Sequence, residues 1–191
     1  DAMVAEIVMT AMNENPYRPR PEWWGDGAVQ LRCFVVDVEK GVNQILLPKL
    51  KRYIPTSALI EGDWEKSWNT KGLILTLSNG STIDFLTYGM GLEKMGGVPR
   101  HAVFFDEEPP QHIFTESLMR LIDYRGFWVI AATPVEGIGW TFDHLWEPGT
   151  TNPDDEYSPG CFTLSASKNL YLKTEEKDYG HYSIGMDTEE Q

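Results

Sequence analysis

Positive charge is scarce in this chain. Sixteen Lys and Arg stand against 29 Asp and Glu in 191 residues, a net charge of −13. That balance excludes a surface built to coat nucleic acid or an anionic membrane, and it confines any DNA contact to a local patch. Long apolar runs are missing as well. No segment approaches the roughly 18–20 residues of a membrane-spanning helix, and no charged, apolar and small-residue series opens the chain as a signal peptide would. Cysteine is nearly absent: Cys33 lies in an apolar run and Cys161 beside Phe162, without metal-type spacing. Both read as small buried hydrophobes of a reducing, intracellular compartment. His101, His112, His144 and His181 are not spaced as ligands with a cysteine or with one another, and read as structural. What is present is 41% apolar and 12% aromatic residues, enough for one sizeable globular core.

Apolar periodicity predicts strands alternating with helices. "DAMVAEIVMTAM" reads as a helix entered midway, and "GMDTEEQ" stops without a closing element, so the chain is expected to be an internal piece of a longer protein. "NPYRPRPEWWGDG" is a proline- and glycine-punctuated loop. Its Tyr17, Arg18, Arg20, Trp23 and Trp24 could form an aromatic and basic nucleic-acid patch, and are read instead as packing the loop onto the core. "LRCFVVDV" predicts a strand ending at Asp37, and "EKGVNQILLPKLKRYI" a helix divided near Pro48, with Lys49, Lys51 and Arg52 on a solvated face. "LILTLSNGSTIDFL" predicts a hairpin closed by Asn79-Gly80 in a type I′ turn. "GLEKMGG" reads as a flexible loop, residues 111–124 as an amphipathic helix, "GFWVIAATPVEG" as a buried strand and turn, and "WTFDHLW" as the start of a short helix. The pattern is α/β: a mainly parallel sheet with helices on both faces and an inserted β-hairpin.

The informative stretch is "HAVFFDEEPPQHIF". Ala102 to Phe105 form a buried run too short for a helix, and Asp106, Glu107 and Glu108 emerge where that strand ends, with Pro109 and Pro110 forbidding more ladder. In open α/β sheets ligands bind at the carboxyl ends of strands. A following strand ending in "AATP" places Thr133 beside these acids. An Asp beside hydrated Mg²⁺ and a neighbouring Glu that orients water are what phosphoryl transfer to water requires. Taken alone, three acids at a strand end are a common solvated turn, and Thr133 before Pro134 could bond its own backbone.

Here the chain resembles the large subunits of phage DNA-packaging terminases. The resemblance rests on "AVFFDEEPP", "ATPVEGIGW", the upstream "NGSTIDFLTYGMGLEKMGG" and the downstream "SKNLYLKTEE", in order, and spans roughly residues 1 to 185 as judged by eye. It implies a P-loop NTPase-like fold, with residues 1–150 a partial ATPase core and 151–191 the start of a lid or linker region. It implies ATP and Mg²⁺ as cofactors, Asp106 at the metal, Glu107 as catalytic carboxylate and Thr133 as phosphate sensor. The implied partners are double-stranded viral DNA, a portal protein, the terminase small subunit and further copies in a homo-oligomeric ring, without a membrane. The implied place is the host cell cytoplasm, at the procapsid portal. The family's phosphate loop, G-x-x-x-x-G-K-[ST], is absent, because no Gly-Lys pair occurs in the chain, and it is expected shortly upstream of Asp1. The nuclease half is expected beyond Gln191. Lys94 and Arg100 occupy the region where related motors carry an arginine finger, and Arg100 is the candidate. Three other readings compete: a superfamily-two helicase-like translocase, a metal-dependent nuclease using Asp37, Asp106 and Glu107 around two ions, and a non-catalytic scaffold retaining an ATPase fold.

Overall fold

The computed structural model describes residues 2–133, 139–152, 154 and 159–161. The chain divides into two compact units, residues 1–137 and 138–191.

The first unit is built on a six-stranded sheet. Its strands are β1 (Gln30–Val35), β2 (Trp68–Asn69), β3 (Ile74–Thr76), β4 (Thr82–Thr87), β5 (Ala102–Asp106) and β6 (Phe127–Ala131), in the order β2-β3-β4-β1-β5-β6. The pairs β4-β1, β1-β5 and β5-β6 are parallel, and β2-β3 and β3-β4 antiparallel. Side chains alternate across a strand, and the sequence uses both faces. Leu31, Cys33, Val35, Ile83, Phe85, Ala102 and Phe104 form one core. It is covered by Val4, Ile7, Val8 and Ala11 of α1 (Ala2–Met12), Val42 and Leu46 of a π-helical stretch (Val38–Leu46), and Leu50 of α2 (Leu47–Tyr53), while the short α3 (Trp64–Ser67) leads into β2. On the other face Phe34 stacks on Phe105, 5.4 Å between ring centroids, and Phe105 meets Phe114 of α4 (Gln111–Leu121) at 5.7 Å. The sheet is thus mainly parallel with helices on both faces.

Local chemistry explains the element boundaries. The division of the helix expected near Pro48 falls at Leu46–Leu47, where the π-helical ladder ends and Pro48 occupies the first turn of α2, the one place its missing N–H costs nothing. The hairpin turn differs from expectation. A type I′ turn needs positive φ at both central residues, but of Asn79 and Gly80 only Gly80 has it, at 83°. Gly80 N–H bonds to Leu77 O at 2.9 Å and Leu77 N–H to Ser81 O at 2.8 Å, a type I turn followed by a left-handed glycine. Nor is the hairpin set apart from the sheet, since β4 is also the parallel neighbour of β1.

β6 joins the sheet without room for a side chain at its entry. A Cβ on Gly126 would lie 2.4 Å from the carbonyl oxygen of His101, and the next residue, Phe127, donates its N–H to that oxygen at 3.2 Å. His101 itself is buried, and its Nδ1 accepts the Gln30 N–H at 2.9 Å. Burial, helped by the charges of Arg20 and Arg100, pushes its pKa down to about 4 and keeps it neutral, in line with a structural role.

In the second unit Phe142–Trp146 is π-helical and runs into α5 (Glu147–Thr151). Gly149 packs close to the Pro159 carbonyl and the Cys161 thiol. Cys33 is fully buried, whereas Cys161 is only half-buried, and both are free thiols. The segment "SKNLYLKTEE" and His181 lie outside the described residues.

Candidate active site at the carboxyl end of the sheet

β5 ends at Asp106, in register with Ala131 at the end of β6. Glu107 N–H adds one more bond, to Ala131 O at 2.9 Å, and there the chain leaves the strand. Glu107 sits at φ 71°, left-handed backbone that costs a residue with a Cβ roughly 1–2 kcal/mol. Tyr88, just after β4, holds this kink: its hydroxyl donates to the carbonyl oxygens of Asp106 at 2.9 Å and Glu107 at 3.1 Å. The kink turns the Glu107 side chain toward the end of β6, where Oε2 accepts the Thr133 N–H at 3.2 Å. Simple strand alternation, which would set Glu107 on the side opposite Asp106 and Glu108, stops at Asp106. The structure therefore brings Asp106, Glu107 and Thr133 together, through two adjacent parallel strand ends and one strained residue. Pro110 then precedes α4 as its cap residue. Pro134 and the residues to 138 lie outside the described set.

Asp106 is half-buried, and its pKa is raised, chiefly by desolvation and then by the Glu107 charge, with Lys49 of α2 acting against the rise. Lys49 was expected on a solvated face; it is half-buried, and its charge reaches Asp106. A carboxyl raised above its unfolded value favours folding when protonated. The stability it offers is present at low pH and lost as pH rises from the unfolded pKa through the folded one. Asp106→Asn is accordingly expected to raise Tm at neutral pH. Its advantage over the wild type should shrink as pH falls from about 7 toward about 4, measured by thermal unfolding across that range. A Tm lowered at neutral pH, or a gap that does not change with pH, would contradict the assignment of Asp106 as a desolvated carboxylate.

Arg100 stands elsewhere. It precedes β5, so that at about 3.3 Å per residue it lies roughly 20 Å of strand away from Glu107. Its guanidinium is buried and donates to Asp84 Oδ2 at 2.6 Å. Asp84 also takes Arg32, with Nη2 to Oδ2 at 2.7 Å and Nε to Oδ1 at 3.1 Å, while Arg32 Nη1 donates to Met95 O at 2.6 Å. Lys94, in the turn Leu92–Met95, is exposed. The "GLEKMGG" segment is thus pinned by Arg32 and by buried Met95. Asp37 accepts Lys40 N–H at 2.6 Å as a helix cap. Among the described residues no three carboxylate, imidazole or thiol groups converge as a metal cluster.

Sequence reasoning missed Tyr88 and Lys49. A tyrosine directly after the last strand residue of "TIDFLTY" offered a signal, since β4 and β5 flank β1 in parallel and their carboxyl ends lie one strand apart, within reach of a long side chain. Compared with models of known families, with curated proteins and with solved structures, the chain has no match.

Proposed function

We propose that this chain is the ATPase-motor part of a viral terminase large subunit, a P-loop NTPase-like enzyme that hydrolyses Mg·ATP to drive double-stranded DNA into procapsids. The observation that carries this reading is the bond from Thr133 N–H to Glu107 Oε2, with Asp106 beside it. A carboxylate meant to orient water is tethered to the end of the next strand, where Thr133 can register the phosphate. A change of phosphate state at Thr133 would then release or re-aim Glu107. Asp106 would hold the Mg²⁺ ion through its waters, and Glu107 would take the proton of the attacking water. The reading requires a phosphate loop, G-x-x-x-x-G-K-[ST], that these 191 residues do not contain. Viral DNA, the portal, the small subunit and neighbouring copies of the chain in a ring are the partners this reading brings, in the host cytoplasm. No helix among the described residues is long and apolar enough to cross a membrane. The engagement of Asp37 as a helix cap weighs against a two-metal nuclease.

The test is phosphate release from Mg·ATP. The 191-residue chain alone is expected to release none, because lysine and backbone donors for the β- and γ-phosphates are not in it. The same chain joined to the preceding residues of its reading frame is expected to turn over. An extended chain that neither binds nor hydrolyses nucleotide would overturn the reading, and Mn²⁺-dependent plasmid nicking lost in Asp106→Ala would replace it with the nuclease.

A further inference from the structure

Four buried side-chain polar atoms lack a hydrogen-bond partner among the described residues: Thr10 Oγ1, Asn15 Nδ2, Arg20 Nε and Arg100 Nε. Three of the four belong to residues lining a single cleft between α1, the loop after it and Phe127 of β6. Unpaired buried polar atoms are uncommon and call for an explanation one by one. Thr10 and Asn15 are 7% and 8% exposed. The orientation of Asn15 is fixed by its neighbours: Oδ1 accepts the N–H groups of Tyr17 and Arg18, both at 3.0 Å. The donor end of the amide is left unused. Arg20 is fixed likewise. Its Nη2 donates to the carbonyls of Trp24 at 3.1 Å and Gly27 at 2.6 Å, neutral groups that leave the guanidinium charge uncancelled. Arg20 makes no ion pair among the described residues, while its neighbour Arg18 pairs with Glu6 at 3.0 Å and lies over the Phe127 ring at 4.2 Å.

We propose that this cleft is a binding site for a phosphate-type oxyanion. Its free space of about 30 Å³ suits about two water-sized groups, here two oxygens of one anion, with the remaining oxygens on the open side. One oxygen accepts from Arg20 Nε and the other from Asn15 Nδ2, and the Thr10 hydroxyl donates to either. The ligand is an acceptor toward all three groups, because two of them are donors only and the third can donate, and the charge of Arg20 favours an anion. In a chain of net charge −13, a half-buried guanidinium without an ion pair among the described residues is the exception an anion would seek. The phosphate can be free in solution or part of a nucleic-acid strand. Tyr17 and Trp23, 88% and 59% exposed in the same loop, offer rings on which adjoining bases would stack. The site is independent of Asp106 and Glu107, and its success or failure leaves the hydrolysis reading untouched.

The experiment is NMR titration of the ¹⁵N-labelled 191-residue chain with inorganic phosphate and, separately, with a short single-stranded thymidine oligonucleotide. Saturable shifts of the Arg20 Nε–Hε and Asn15 side-chain amide signals are expected with phosphate. Thr10→Val, equal in volume but without the hydroxyl, should bind about tenfold more weakly with a Tm no lower than wild type, since no bond is lost in the free protein. Thr10→Ser should bind as the wild type does. Tighter binding of the oligonucleotide, with shifts spreading to Tyr17 and Trp23, assigns the phosphate to a strand; shifts with inorganic phosphate alone assign it to a free anion. Unmoved Arg20 and Asn15 signals with both ligands would overturn the proposal. So would unchanged affinity in Thr10→Val, or a marked fall in its Tm, which would give the hydroxyl a structural partner.

Discussion

Replacing Asp84 by alanine is expected to destabilise the fold by roughly 3–5 kcal/mol, the cost of breaking a buried ion pair by removing one partner. The size follows from the count of charges. One carboxylate, its side chain 14% exposed, faces two guanidiniums whose side chains are 4% and 8% exposed. Without Asp84 both cations stay buried, and among the described residues only the carbonyls of Met95 and Pro99 remain as partners of the two guanidiniums. Asp84→Asn should recover little, because it restores an acceptor but no charge. Chemical denaturation with both variants is the check, and a loss under about 1 kcal/mol in Asp84→Ala would show that water already screens the cluster. The consequence reaches the site. Arg32 and Asp84 are register partners in β1 and β4, and Arg100 leads into β5, so the cluster sets where β5 begins and hence where Asp106 ends it.

Glu107→Gln, in the chain extended through its preceding residues, is expected to lower kcat by roughly 10²- to 10⁴-fold, the usual worth of a positioned general base. Nucleotide affinity should be preserved, because glutamine keeps the size of the side chain and an oxygen to accept the Thr133 N–H. Glu108→Gln is expected to keep a substantial fraction of turnover. The backbone makes the distinction: the left-handed turn at Glu107 directs that carboxylate to the end of β6, whereas Glu108 is exposed beyond the kink. Measuring kcat and affinity for both variants checks it, and the reverse pattern would move the base to Glu108.

The strands of the parallel sheet were legible because each is a short apolar run closed by turn residues, and the placement of Asp106 and Thr133 at adjoining strand ends follows from that reading alone. Four features were not legible, each for a physical reason. The turn at Asn79-Gly80 obeys hydrogen bonds to Leu77 and Ser81 that local composition does not distinguish from a type I′ turn. The kink at Glu107 is strained, and strain held by a tyrosine from another strand leaves no local signal. The role of Arg100 depends on Asp84 and Arg32 meeting across three strands. A charge in the middle of each of the apolar runs "QLRCFV" and "TIDFLT" was the available hint, since a buried charge demands a partner. Lys49 was read as one more charge on a helix surface, because nothing in α2 by itself reveals that it faces Asp106.

The most direct measurement is the line-broadening caused by Mn²⁺ with bound nucleotide in the ¹⁵N-labelled extended chain. Broadening is expected first at the amides of Asp106, Glu107 and Thr133, with loss of the effect in Asp106→Ala. Broadening centred on other residues, or unchanged in Asp106→Ala, would contradict the assignment of the β5–β6 carboxyl end as the metal-nucleotide site.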